Sequence, residues 1–209
     1  FMVAYFFEAF LFKHFSRINF YFITKALRYR LFLAVSVCFV CTSFGQELEW
    51  VKTARGTDIA TGISLAVDKN GNTYSVGYFT GTNDFDPGPG VFNLTTSGGR
   101  DIFILKLNKS GDFIWAKKIG ANGDHFGDFA TEIALDNNDN VYVTGFFALT
   151  VDFDPGLGLF NLTSKGDKDI YVLKLSKDGN FIWAKSIGSN NEDIAESLKI
   201  DNDGNVVFA

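Results

Sequence analysis

The sequence predicts an all-β fold: β-propeller blades of four antiparallel strands, incomplete at about two and a half blades, preceded by an N-terminal hydrophobic signal segment. Three observations predict it. Long stretches recur in register, the recurring unit reads as four short strands closed by turn residues, and one strand of each unit is apolar on both faces.

The recurrence comes first, because it sets the unit. Asp84-Phe85-Asp86-Pro87-Gly88 returns as Asp152-Phe153-Asp154-Pro155-Gly156, and Phe92-Asn93-Leu94-Thr95 as Phe160-Asn161-Leu162-Thr163. Asp101-Ile-Phe-Ile-Leu-Lys-Leu107 returns as Asp169-Ile-Tyr-Val-Leu-Lys-Leu175, and Phe113-Ile-Trp-Ala-Lys117 as Phe181-Ile-Trp-Ala-Lys185, each at an offset of 68. Tryptophans stand at 50, 115 and 183, and a three-residue insertion near Asp124-His125-Phe126 explains the shorter first step. The expected domain is therefore 46–209, in units of about 48–114, 115–182 and 183–209.

Within the second unit the strands are expected at Thr131–Asp136, Asn140–Phe147, Asp169–Leu175 and Phe181–Ile187, here A to D. The A–B links are Asp68-Lys-Asn-Gly-Asn72, Asp136-Asn-Asn-Asp-Asn140 and Asp201-Asn-Asp-Gly-Asn205; the C–D links are Asn108-Lys-Ser-Gly-Asp112 and Ser176-Lys-Asp-Gly-Asn180. Gly, Asn and Asp accept the positive φ that tight turns require. Strand C carries Phe103, Leu105 and Leu107 on one face and Ile102 and Ile104 on the other, so the sheet must be covered on both sides, as stacked blades provide. No segment after residue 47 has the length and period of a helix, which removes α/β folds.

Residues 1–46 differ in composition. They hold eleven of the 24 Phe, both cysteines, and five basic residues against one acid, Glu8. Without them the net charge falls from −5 to −9, which excludes a basic nucleic-acid-binding body and a disulfide-stapled one. Residues 25–45 read as a signal peptide: Lys25, Arg28 and Arg30 precede the apolar run Leu31–Phe44, and Ser43-Phe44-Gly45 places small residues for cleavage before Gln46. An uncleaved run would be the chain's one membrane attachment, but fourteen residues span only ~21 Å of a ~30 Å hydrocarbon core. Cys38 and Cys41 lie in poor lipid-attachment contexts and read as small apolar residues. Residues 1–24 are expected to be an upstream hydrophobic segment ahead of the true start.

The run from Trp115-Ala-Lys-Lys-Ile-Gly120 through Ile133-Ala-Leu-Asp136 to Asn140-Val-Tyr-Val-Thr-Gly145 resembles the SBBP β-propeller repeat, as does Asp169-Ile-Tyr-Val-Leu-Lys-Leu175 with Asp178-Gly179. The Asp-Phe-Asp-Pro-Gly insert is similar to a variant of secreted bacterial members, and the resemblance covers residues 48–209. It implies a secreted or cell-surface protein and says almost nothing of activity. Because propellers close with about four to eight blades and an open last blade exposes strand edges, the stop at Val206-Val-Phe-Ala209 reads as a piece of a longer frame.

Strand parity places the A–B and C–D turns on one side of the sheet. The Thr80–Arg100 and Ala148–Lys168 inserts and the Gly120–Phe129 loop lie on the other, where binding is expected. That side carries Asp84, Asp86, Asp124, Asp128, Asp152 and Asp154. Asp84, Asp86, Asp152 and Asp154 are the candidate metal ligands, with Ca²⁺ the cofactor hard oxygens would hold; the simpler reading is that Asp-Pro-Gly forms a turn without an ion. The Asp-x-Asn-x-Asn turns fail as EF-hands, because Thr73 and Phe79 stand where Gly and Glu are needed.

Asn93-Leu-Thr95 and Asn161-Leu-Thr163 fit the glycosylation acceptor pattern, though their matched place reads more simply as strand geometry. His125 is the one histidine after residue 46 and no nucleophile motif accompanies it, so no catalytic residues are assigned. The tryptophans read as blade-packing core rather than sugar platforms. The expected function is a secreted or surface binding or scaffold module for an extracellular protein or glycan, with no nucleic-acid partner. The alternatives are a carbohydrate-active enzyme using loop carboxylates and a purely structural adhesin-like repeat.

Overall fold

The computed structural model describes residues 49–56, 58–121 and 128–209, all within the compact unit Glu47–Ala209. The expected signal and upstream segments, together with Asp124 and His125, lie outside the described residues. Among the described residues there is no helix, and fifteen strands form the fold.

The first four-stranded antiparallel sheet contains β2 (Ala60–Val67), β3 (Thr73–Phe79), β6 (Asp101–Leu107) and β7 (Phe113–Ile119), paired in the order β2-β3-β6-β7. The second contains β8 (Phe129–Leu135), β9 (Val141–Phe147), β12 (Asp169–Leu175) and β13 (Phe181–Ile187), in the order β8-β9-β12-β13. A third unit contributes the hairpin β14 (Leu198–Ile200) and β15 (Val206–Phe208). Strands C and D of the second unit fall where the sequence places them. Strand A begins two residues earlier, at Phe129, and strand B one later, at Val141. These meandering sheets are consistent with propeller blades.

Each long B–C insert contains a small hairpin that the sequence reading treated as loop. In the first, β4 (Thr82–Asp84) pairs with β5 (Asn93–Thr95); in the second, β10 (Thr150–Asp152) pairs with β11 (Asn161–Thr163). Matched hydroxyls link each pair, Thr82 to Thr95 at 2.9 Å and Thr150 to Thr163 at 2.8 Å. The remaining strand, β1 (Arg55–Gly56), joins the outer side of β4.

Burial explains the two-sided apolarity of strand C. Tyr74, Val76, Ile102 and Ile104 on one face of the first blade meet Ile133, Val143, Tyr171 and Leu173 of the second in one continuous cluster. On the next face, Tyr142 and Val172 receive Leu198 with Ile200 and Val206 behind it. Each aliphatic side chain fully buried there contributes about 1.5–3 kcal/mol. Innermost strands follow one another from blade to blade, β8 packing on β2 and β3, and β14 on β8.

Both innermost strands carry a bulge, between Gly62 and Ser64 and between Ala130 and Glu132. Glycine stands opposite each, because a Cβ at Gly77 would strike the Thr61 carbonyl and one at Gly145 the Phe129 carbonyl. In the second blade the bulge turns the Thr131 hydroxyl outward to donate to Ala195 O at 2.7 Å, tying that blade to the third unit.

Candidate functional site

The candidate site lies at the junction between blades, and both sides of that junction follow from the tight turns. Asp68 Oδ1 accepts the amides of Asn70 and Asn72 at 2.9 Å each, and its Oδ2 accepts Asn72 Nδ2 at 2.8 Å. Asp136 repeats these three bonds with Asn138 and Asn140, and Asp201 repeats them with Asp203 and Asn205. The C–D turns use Asn108 Oδ1 and Ser176 Oγ in the same way, each accepting two amides of its own turn. The turns place Gly71, Gly111, Gly179 and Gly204 at φ between 76° and 83°, and Asp139 at 63°.

Burial alone would push the Asp68 carboxyl up, but its bonds from Asn72 and Asn70 outweigh this and hold it below its ordinary value. Asp136 is held down against burial in the same way, with help from Lys174 at 3.3 Å. On the adjoining strand Lys106, 7% exposed, lies over the Tyr74 ring at 4.7 Å, and burial lowers its pKa against the pull of Asp68 and two further aspartates. Burial also raises the Tyr74 hydroxyl, with Asp68 the next cause.

Lys106 Nζ donates to the Lys177 carbonyl of the next blade at 2.9 Å, and Trp115 Nε1 donates to the same oxygen at 3.3 Å. Two donors on one blade thus grip a single carbonyl in the C–D turn of the next. Gly179 lies buried beneath them, where a Cβ would come within 3.2 Å of the indole. Trp50 makes the same contact on the first blade, donating to Lys109 O at 3.0 Å over Gly111. Trp50 and Trp115 therefore each fasten onto a C–D turn, and within their own blades Trp115 and Trp183 meet Tyr74 and Tyr142 edge-on.

At the opposite side of the junction the chain leaving strand D pairs with the insert hairpin of the following blade. Arg55 and Gly56 pair with Asp84 and Asn83, and Gly120 bridges Asp152. The Asp-Phe-Asp-Pro-Gly loops lie beside these pairings. Asp84 Oδ1 accepts Asp86 N at 3.0 Å and Phe92 N at 2.7 Å, while Asp86 Oδ1 accepts Gly88 N at 2.7 Å. Asp152 and Asp154 reproduce the set at 3.0, 2.8 and 2.8 Å. Buried Phe85 and Phe153 anchor the loops against Phe103 and Tyr171, both with ring centroids 4.9 Å apart.

A cleft of about 450 Å³ opens where the second loop meets the outer strand of the first blade. Asp152, Asp154, Pro155 and Gly156 form one wall, Lys117, Lys118 and Gly120 the other, and Phe92 and Leu94 of the preceding hairpin the end. Lys118 is held by Asp101 at 3.3 Å and by Ser97 Oγ at 2.5 Å.

The structure brings Asp152 and Asp154 together at this cleft and puts Asp84 and Asp86 in the equivalent loop one blade earlier. In all four residues one carboxylate oxygen serves the loop's own amides. Among the described residues no group of three or more His, Cys, Asp or Glu gathers closely enough to hold a metal ion. Asp128, expected on the open loop side, is instead fully buried and accepts Ala121 N at 3.0 Å. Asn93 and Asn161 are exposed on the edge strands of the inserted hairpins. Sequence reasoning missed Lys106, Lys118 and Gly120; the signal for the first was a lysine interrupting the apolar run Ile102–Leu107.

No family model matches the chain. Among curated proteins it is similar to an uncharacterized WD repeat-containing protein of Acanthamoeba polyphaga mimivirus, 27% identical over 185 residues that cover 75% of this chain. The match spans 13% of that protein's own length. This distant likeness agrees with the sheets in suggesting a repeat of the β-propeller type.

Proposed function

We propose that the chain is part of a secreted or cell-surface β-propeller of the SBBP repeat type, acting as a binding or scaffold module without catalysis. The observation that carries the reading is the cleft between blades. It is built from a projecting loop on one blade and a rigid outer strand on another, and it presents carboxylates, ammonium groups and an aromatic ring together. Such mixed, partly apolar concavities on a rigid scaffold suit a protein or glycan ligand. Asp152 and Asp154 use one oxygen each to hold their own loop, which favours a positioning role over proton transfer.

Two measurements test the reading. The exported protein is expected to begin at Gln46, as N-terminal sequencing would show, and peptides from residues 1–45 in the mature product would remove the export half. Polysaccharide turnover that disappears in Asp152→Asn and Asp154→Asn would replace the binding module with an enzyme.

A further inference from the structure

The two insert loops are built alike, but the residue that faces each one differs. Their internal hydrogen bonds agree to within 0.1 Å, from the Asp84–Phe92 and Asp152–Phe160 pairs to the Asp86–Gly88 and Asp154–Gly156 pairs. Each loop therefore offers its Pro-Gly carbonyls in the same arrangement. In the first junction a side chain from the chain itself uses them: Arg55 Nη2 donates to Pro87 O at 3.4 Å and Nη1 to Gly88 O at 3.3 Å. A planar guanidinium fork spans two neighbouring carbonyls in a way that a single ammonium cannot.

In the second junction Gly120 takes the place of Arg55, bridging Asp152 as Arg55 pairs with Asp84. Glycine is required there, since a Cβ would run into the buried Asp101 carboxyl. Pro155 and Gly156 consequently line an open cleft. The same cleft adds Asp152 and Asp154, whose negative charge suits a cation, and the Phe92 ring, 37% exposed, on which a guanidinium can stack. Of the nearby ammonium groups, that of Lys118 is compensated by Asp101.

We propose that the cleft between the two blades binds a guanidinium group, the arginine side chain of a protein ligand, at the place that Arg55 occupies in the preceding junction. The proposal rests on the binding-module reading and names its ligand chemistry.

The test uses the exported chain and N-acetyl-L-arginine amide, with N-acetyl-L-lysine amide as the comparison, followed by amide chemical shifts. Arginine amide is expected to bind saturably, to move the resonances of Gly120 and Asp152–Gly156, and to bind at least about tenfold more tightly than the lysine compound. Lys117→Glu, on the cleft wall with its stem packed over Gly179, should tighten arginine binding several-fold. Arg55→Ala should free the first carbonyl pair, so that arginine amide binds at two places and raises that variant's melting temperature more than the wild type's. A chain silent to arginine amide, equal binding of the lysine compound, or weaker arginine binding in Lys117→Glu would overturn the assignment. Saturable arginine binding in a chain that also degrades polysaccharide would leave the guanidinium site standing and remove only the non-enzymatic reading.

Discussion

Asp68 and Asp136 each gather three bonds from within their own turn, so a single carboxylate replaces several contacts that water would otherwise make. Asp68→Ala is expected to cost about 1–3 kcal/mol in urea unfolding, because two amides and one side-chain amide lose their acceptor together. The folded carboxyls of Asp68 and Asp136 sit below their unfolded values. Their stabilisation is therefore complete above about pH 4 and is lost as pH falls through the depressed folded values. Thermal melts between about pH 6 and pH 2 should fall more gently for the Asp68→Asn, Asp136→Asn double variant than for the wild type. Leu149, 60% exposed, holds φ at 61° where the preceding unit has Gly81 at 64°. Leu149→Gly should stabilise by up to about 1 kcal/mol, the relieved left-handed strain exceeding the added chain entropy. Each of Asp84, Asp86, Asp152 and Asp154 commits one carboxylate oxygen to its own loop, and among the described residues no third acidic group joins either pair, so melting temperatures with calcium and with chelator should coincide. A clear rise with calcium would return these four residues to metal binding.

At the scale of the element, the outer strand and the turn it grips form one device. Trp115→Ala removes an indole from buried Gly179 and a donor from Lys177 O, with an expected loss of about 2–4 kcal/mol. Trp115→Phe should lose about 1 kcal/mol, the share of the hydrogen bond. A double-mutant cycle with Lys106→Met should be non-additive, since both donors meet one oxygen. The blade strands themselves were legible in the sequence: β12 and β13 match their expected limits, and the nearly continuous apolar run within Asp101–Leu107 announced burial on both faces. The inserted hairpins were not legible. Strands of three residues such as Thr82–Asp84 are too short for a period, and their polar side chains resemble loop composition. Nor were the bulges, whose one trace was the pair Gly77 and Gly145 in the middle of strand B.

At the scale of the molecule, equivalent positions have different neighbours and so carry different side chains. Val141 and Val143 are fully buried between blades, whereas Thr73 and Ser75 hold the same strand positions in the first blade and are half-buried. Val143→Ser is expected to cost about 2–4 kcal/mol, for it leaves a hydroxyl in a packed interface, while Ser75→Val should change stability by less than about 1 kcal/mol. Equality of the two effects in chemical denaturation would refute the idea that the blade junction holds the core. The junction itself was only half visible in advance. The offset of 68 implied repeated contacts, but Lys106 reaches Lys177 across 71 residues and Trp50 reaches Lys109 across 59, distances that no local pattern encodes. The first full unit therefore carries one half of two different joints: Lys106, Trp115 and Gly120 act forward, while the C–D turn and the insert hairpin of the following unit receive them. A tandem duplication of such a segment, cut at any phase, copies plug and socket together. An array of this kind can lengthen by whole units without inventing a new interface, and a difference such as arginine at one joint and glycine at the next alters a single joint while the rest stay closed.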